Sequence, residues 1–363
     1  MPMLLRTAKN AYIEKHYPIS VIHFVTNRCN ARCGHCFLDF DNLEIYKEEL
    51  TLLEIEEMSK HLGNSLLNVN LTGGEPFIRK DMFEIVRAYI TNAKVQSVFI
   101  TTNGMFTEKI REFLDKIEYA GINENIIFSI SIDNFEELHD LNRKVKGLYK
   151  NAIASYFLIQ GYQKRNIMAN VAITVSQHNY KNVIGIYNHL KNIGVRAITS
   201  TIMREEGIIK SIEPEIKTQI LQAYKELTDN IRKDTLKKNI DGYRGMQGAL
   251  MNAKNMIVNK IIQKTYLQKR FISYCSAGTL FGVIYANGDV YPCEILEDKK
   301  LGNVRDFNLN FMALWEDKAA KEFKGWVRDT KCNCTFECAW SINIISDPQF
   351  IPELLYYSLK SKL

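Results

Sequence analysis

Three cysteines, Cys29, Cys33 and Cys36, stand at x3 and x2 spacings in one short stretch. Thiolates that close can wrap a single loop around one corner of an iron–sulfur cube. A four-iron cluster usually takes four thiolates, so a group of three leaves one iron open to another ligand. A structural zinc site is instead closed by four protein ligands. No further cysteine follows until Cys275, so nothing local closes this one.

The other five cysteines, Cys275, Cys293, Cys332, Cys334 and Cys338, lie near the carboxyl end. Both groups have the spacings of metal ligands rather than of a disulfide framework. Four thiolates would close a second cluster, which suits electron transfer. A zinc ion held by four cysteines is the alternative. Either way one cysteine is left over.

The elements that must position these groups follow from periodicity. Strand patterns at 21–26, 67–72, 97–102, 126–133, 171–175 and 197–203 alternate with helical ones at 51–62, 80–92, 107–120, 148–162 and 180–193. That alternation predicts a parallel α/β sheet with right-handed crossovers. The stretch is short for eight units, so the expected architecture is an open, partial (β/α)6 barrel. Polar or glycine-rich residues end at least four of the strands, on the rim where such folds bind ligands. The expected segments are the barrel (1–205), a helical connector (206–272), a small α+β domain (273–345) and a tail helix (346–363). The third should contain a hairpin turning at Ala286-Asn287-Gly288 and an amphipathic helix over 311–323.

In combination these features resemble the radical S-adenosylmethionine (SAM) superfamily. The resemblance rests on the cysteine trio after the first strand, Gly73-Gly74-Glu75-Pro76 after the second and Ser131-Ile132-Asp133 after the fourth. It spans residues 20–205. It implies a SAM-binding 4Fe-4S cluster on Cys29, Cys33 and Cys36, whose open iron chelates the amino and carboxylate groups of SAM's methionine part. Gly73 and Gly74 would let the backbone approach SAM closely, and Glu75 would face its ammonium. Pro76, Asn103, Ser129 and Asp133 join the cofactor rim, and Ser131 would bond the ribose or the carboxylate. Arg143 resembles an arginine that binds the SAM carboxylate, with a solvated surface arginine as the alternative. His35 takes a position that is usually aromatic, and is assigned packing near adenine rather than acid–base work.

Cys275-x12-Gly288-x4-Cys293 resembles the opening of the SPASM or twitch extension, which binds auxiliary 4Fe-4S clusters. The full SPASM pattern has seven cysteines. Five, with a Cys-x-Cys-x3-Cys ending, imply one auxiliary cluster of twitch type. The spare thiol is then either inert and buried or a hydrogen-atom donor to a substrate radical, as an epimerase requires.

Composition bounds the rest. The 363 residues are 46% hydrophobic, enough for a substantial core, and the formal charge of +6 comes from 47 basic and 41 acidic residues without a long single-sign block. Nucleic-acid binding is not indicated. The apolar run at Met1–Arg6 is too short for a signal peptide, so a cytoplasmic protein is expected. The tail carries Leu354, Leu355, Tyr356, Tyr357 and Leu359 with basic Lys360 and Lys362. Docking on the protein's own core is weighed above membrane contact.

The leading expectation is an oxidoreductase-like enzyme. It would abstract hydrogen from a small biosynthetic intermediate for dehydrogenation or rearrangement, taking electrons from a reductant such as flavodoxin or ferredoxin. A peptide maturase or epimerase acting on a short peptide is the alternative, weakened by the roughly twenty residues before the first strand. A non-catalytic iron–sulfur module would not cleave SAM. Arg204 is read as holding a substrate anion or pairing with a glutamate, and Glu294 as a proton acceptor or an exposed hairpin end.

Overall fold

The computed structural model describes residues 3–36, 38–162, 164, 166–204, 212–243, 245–268 and 271–362. Its strands are β1 Ser20–Thr26, β2 Asn68–Gly73, β3 Ser97–Thr102, β4 Asn125–Ser131, β5 Ile167–Val175, β6 Ile198–Ile202, β7 Phe281–Ile284, β8 Asp289–Tyr291 and β9 Gly302–Asn303. The helices are α1 Met3–Lys9, α2 Leu52–Ser59, α3 Met82–Thr91, α4 Thr107–Tyr119, α5 Glu136–Arg143, α6 Leu148–Gly161 and α7 Val183–Asn192. They continue with α8 Pro214–Leu236, α9 Gly245–Gln268, α10 Phe311–Trp315, α11 Lys318–Thr330, α12 Glu337–Ser346 and α13 Ile351–Lys362. Glu205 and Glu206, which follow Arg204 after the last barrel strand, lie outside the described residues.

β1 to β6 lie side by side in chain order, each parallel to the next. This is the predicted α/β sheet, and its crossover helices cover the outer face with Ile85, Val86 and Tyr89, then Ile110, Phe113, Leu114 and Ile117, all buried. Every residue of β1 is buried. That strand is flanked on both sides, because β7 pairs with it in parallel register from Ser20↔Phe281 to His23↔Ile284. The carboxy-terminal segment therefore continues the same sheet, in the order β6-β5-β4-β3-β2-β1-β7-β8-β9. β7 and β8 form the antiparallel hairpin expected at Ala286-Asn287-Gly288. Gly282 of β7 has a steric reason: a Cβ there would stand 2.6 Å from the buried Trp315 ring.

Three helices escaped the periodicity. In α5 only His139 and Arg143 are buried, so it has no apolar stripe. α12 is buried on nearly every side, so it has no polar face to set a period. α1, in the lead-in, is short. The helix expected over 311–323 is instead two, broken at Glu316-Asp317. Phe311 and Trp315 are stacked and buried in α10, while Ala320, Phe323 and Val327 bury the face of α11.

α9 has almost no amphipathic asymmetry because both its faces are used. Ala253, Ile257, Ile261 and Ile262 are buried, while Met251, Lys254, Asn255 and Asn259 line the internal cavity. The tail helix α13 docks on α9 through buried Leu354 and a Lys260–Glu353 pair at 2.6 Å, leaving Leu355, Tyr356 and Leu359 exposed. Among the described residues no helix is long and apolar enough to cross a membrane.

A bidentate pair ties the barrel to the carboxy-terminal segment. Arg305 Nε and the second guanidinium nitrogen lie 2.6 and 3.0 Å from Glu54, which also closes the capping box of α2 with Thr51. The Arg305 hydrogen bond holds the Glu54 carboxyl down to about 2, against the opposing effect of burial. Because the folded value is depressed, its stabilisation is present above the ordinary glutamate range and is lost as pH falls through about 2. Glu54→Gln should cost about 1 kcal/mol at neutral pH for this partly exposed pair. Urea unfolding should show that difference shrinking on acidification.

Candidate functional site

The cysteine loop follows β1 directly and is pinned at several points. Glu49 Oε1 accepts hydrogen bonds from Thr26 Oγ1 and Asn27 N at 2.9 Å. The loop's Arg32 N and Gly34 N donate to the carbonyls of Arg143 and Asn142, at 3.0 and 3.1 Å, at the end of α5. Asn103 Nδ2 donates to Asn30 Oδ1 at 2.8 Å from the end of β3. Local sequence thus supplies the trio, and two other rim segments fix its shape.

Cys29, Cys33 and Cys36 line a cavity of about 930 Å³ inside the open barrel. Alternate residues of the strands form its wall, including Ile127, Ser129 and Ser131 of β4 and Met168, Asn170, Ala172 and Thr174 of β5. Gly73, Gly74, Asn103 and Arg143 line it too.

Glu75, Pro76 and Asp133 stand behind these lining residues. Glu75 is fully buried. Its Oε1 accepts from Thr102 Oγ1 at 2.7 Å and Phe77 N at 3.1 Å, and its Oε2 from Asn103 N at 2.7 Å. Burial pushes its carboxyl up, although these donors pull the other way. The carboxylate ties together the ends of β2 and β3.

The glycines also have a reason other than ligand approach. A Cβ on Gly73, whose φ is +134°, would lie 2.0 Å from the Thr26 carbonyl, and one on Gly74 would lie 2.2 Å from that of Arg28. The ends of β1 and β2 are pressed together, which brings the trio beside the glycines.

Arg143 is buried rather than solvated. Its Nε donates to Asp133 Oδ2 at 3.2 Å, and Asp133 Oδ1 accepts from Thr174 N at 2.9 Å. Burial opposes the Asp133 charge, yet Arg143, His35 and His139 hold its carboxyl down to about 2. Asp133 therefore orients the arginine that reaches the cavity. His35 lies 3.6 Å from Asp133 through Nε2 and 3.2 Å from Asn142 through Nδ1. Burial lowers its pKa to about 4, so the ring is neutral at physiological pH and packs.

The donor set fits an open four-iron cluster. Three thiols face one cavity, Ala31 N points at Cys29 Sγ at 3.4 Å, and Arg143 stands nearby to balance thiolate charge. Burial pushes the bare Cys29 and Cys36 thiols up to about 12 and 11. Metal coordination would reverse that preference by stabilising the thiolates. All eight cysteines are free of disulfides. Among the described residues, no three such side chains converge as a single metal ion would require.

The carboxy-terminal five divide four and one. Burial is the main cause that raises these thiols; beside it, negative charge on Cys332 raises Cys275, charge on Cys334 and Cys275 raises Cys293, and charge on Cys275 and Cys332 raises Cys334. Charge thus links Cys275 and Cys334 to each other and to both Cys293 and Cys332, and none of the four lines the cavity. Cys338 does line it. Its charged neighbours are Glu294, Arg204, Glu337 and Lys254, and burial together with the two carboxylates pushes its thiol up to about 12.

Arg204 forms an ion pair with Glu294 and lies 4.4 Å over the Phe336 ring. Glu294 is thus neither an exposed hairpin end nor a free base. Sequence reasoning missed three cavity residues. Lys254 sits on α9, and burial lowers its ammonium to about 8. Glu337 opens α12; burial raises its carboxyl to about 7, and Ile202 N donates to its Oε1 at 3.0 Å. Asn170 is held by Ser129 and Thr199 at 3.3 and 2.9 Å. Only Asn170 carried a sequence signal, as a polar residue within an apolar strand.

The family comparisons agree with this geometry. Residues 24–208 match the model of the radical SAM superfamily, and residues 275–339 match SPASM, an iron–sulfur cluster-binding domain. The chain is 26% identical over 298 residues to the sporulation killing factor maturation protein SkfB of Bacillus subtilis, covering 80% of this chain and 64% of that protein. It is 25% identical over 304 residues to the AdoMet-dependent heme synthase of Methanosarcina barkeri, covering 81% and 80%. The structure of anSMEcpe with bound AdoMet superposes with a TM-score of 0.60 at 19% identity, over 94% of this chain and 97% of that one. Streptococcus suis SuiB bound to precursor peptide SuiA gives 0.59 at 16%, over 87% and 68%. With the superfamily model covering half of its residues, and the cysteine trio and glycine pair meeting on one barrel rim, this chain belongs to the radical SAM superfamily and carries a SPASM iron–sulfur domain.

Proposed function

We propose that this radical SAM enzyme takes a hydrogen atom from a small biosynthetic intermediate held in the barrel cavity, in a dehydrogenation or rearrangement assisted by one auxiliary cluster. The observation that carries this reading is a single continuous cavity. Cys29, Cys33, Cys36, Gly73, Gly74 and Arg143 line one part of it, and Arg204, Lys254, Glu294, Glu337 and Cys338 another.

A 4Fe-4S cluster and SAM, when bound, supply a 5′-deoxyadenosyl radical by one-electron reduction of the sulfonium. The chain's own residues do the rest. Cys29, Cys33 and Cys36 hold the cluster. Gly73 and Gly74 offer backbone beside it, Arg143 meets the SAM carboxylate, and Asn103, Ser129 and Ser131 offer hydrogen bonds to the remainder. Glu75 and Asp133 act through others, by fixing the Asn103 backbone and the Arg143 guanidinium. Enclosure of the reacting carbon in the barrel keeps water from the radical and sets the close approach that abstraction needs. Cys275, Cys293, Cys332 and Cys334 would hold the auxiliary cluster, whose chemistry there would be electron transfer from a flavodoxin- or ferredoxin-like donor.

A peptide substrate is the second reading, supported by the likeness to the sporulation killing factor maturation protein SkfB of Bacillus subtilis. Anaerobic reconstitution with iron, sulfide, SAM and a low-potential reductant should yield 5′-deoxyadenosine. Metabolite and peptide fractions added separately should then reveal which class raises the yield. Absence of 5′-deoxyadenosine from a protein with both clusters loaded overturns the proposal.

A further inference from the structure

We infer that Cys338 is the one carboxy-terminal cysteine outside the auxiliary set, and that it stands in the reaction cavity as hydrogen-atom donor to the substrate radical. The inference rests on the hydrogen-abstraction reading above and narrows it: with a hydrogen atom returned to the substrate radical, the outcome is a rearrangement or epimerisation in place of a dehydrogenation.

Two observations carry it. Of the five carboxy-terminal cysteines, Cys338 lines the cavity shared with Cys29, Cys33 and Cys36, while the other four do not. It lies in the first turn of α12, which begins at Glu337, whereas Cys332 and Cys334 precede the helix; only Cys338 of the five reaches the cavity wall. Independently, the cavity wall around it is built for a polar ligand. Lys254 lines that wall and, among the described residues, makes no hydrogen bond or ion pair; its electrostatic neighbour is Cys338. Glu337 and the Arg204–Glu294 pair complete the surroundings. An ammonium left open beside a thiol suits a substrate carrying a carboxylate or similar anion next to the reacting carbon.

The step balances as follows. Abstraction leaves a carbon radical on the substrate. Transfer of a hydrogen atom from Cys338 breaks its S–H bond and forms a new C–H bond, leaving a thiyl radical. One electron from the low-potential donor, passed through the auxiliary site, and one proton from solvent restore the thiol. Each turnover thus consumes one SAM, two electrons and one proton. The substrate leaves at its original oxidation level, so the product class is an epimer or an isomer, not an alkene or a ketone.

The test uses reconstituted holoenzyme and the variants Cys338→Ala, Cys338→Ser and Cys334→Ala. Iron and sulfide analysis with electron paramagnetic resonance should find both clusters intact in the Cys338 variants, and about four irons missing in Cys334→Ala. Loss of about four irons from both Cys338 variants overturns the assignment. Enzyme, SAM, reductant and a mixed metabolite and peptide extract are then incubated in deuterium oxide. The wild type should place one deuterium at carbon in a product. The Cys338 variants should still form 5′-deoxyadenosine but lose that deuterated product. Deuterated product from either variant, or 5′-deoxyadenosine stimulated by the extract without carbon-bound deuterium in the wild type, overturns the donor role. Failure of the wild type to form 5′-deoxyadenosine overturns the hydrogen-abstraction reading itself, and the inference with it.

Discussion

Replacing Cys29, Cys33 or Cys36 singly by alanine is expected to remove about four irons per chain and to abolish 5′-deoxyadenosine formation, leaving the fold intact. All three thiols line the cavity and none belongs to the fully buried core, so truncation creates little cavity of its own. The loop is held independently, by Glu49, Asn103 and the α5 carbonyls. Its shape should therefore survive the loss of one sulfur, and circular dichroism and urea midpoints of the metal-free protein should barely move. Two remaining thiolates cannot retain the cube, and with it goes the open iron on which SAM would be chelated. The contrasting case is Cys275→Ala, which should also lose about four irons yet keep measurable SAM cleavage, since the auxiliary four lie off the cavity. Equal loss of SAM cleavage in both variants would sink the division of labour between the two clusters.

Glu75→Gln should be the more destructive of the two in the metal-free protein, although it conserves size. The wild-type carboxylate accepts from Thr102 Oγ1, Asn103 N and Phe77 N in a fully buried site. An amide can accept through one atom only. Its NH₂ group must then face either the Asn103 N–H or the Thr102 and Phe77 donors. One buried donor at least is left unsatisfied beside another, for a cost of about 3 kcal/mol. Urea unfolding of the metal-free protein measures it. The functional consequence follows from the same bonds. Asn103 N and Asn103 Nδ2 link Glu75 to Asn30 in the cysteine loop, so SAM affinity should fall even though Glu75 does not reach the cavity. Wild-type SAM binding by a folded Glu75→Gln protein would show that the carboxylate does not position the rim.

Much of the site was legible because it is local. The trio and the Gly73-Gly74 pair are short words whose chemistry depends on spacing within a loop, and the strand before each is marked by its own β-branched run. The parallel order of β1 to β6 follows from alternation with helices, which admits few other arrangements. What Glu75 and Asp133 do was not legible. A buried carboxylate's partners are set by whichever donors the neighbouring segments bring near, here Asn103 at the end of β3 for Glu75 and Arg143 at the end of α5 for Asp133.

The sequence by itself determined that this protein is an open-cluster α/β barrel followed by a second, cysteine-rich iron–sulfur segment, since both facts reside in residue types and short spacings. Only the tertiary structure decided that the second segment joins the barrel's own sheet through β7, that Arg143 is buried, and that Cys338 lines the same cavity as Cys29, Cys33 and Cys36 while Cys275, Cys293, Cys332 and Cys334 do not. The physical reason is direction. Spacing says how near two thiols can come along a chain, but the surface on which a side chain opens is set by packing of the whole helix, here α12 wedged against α9.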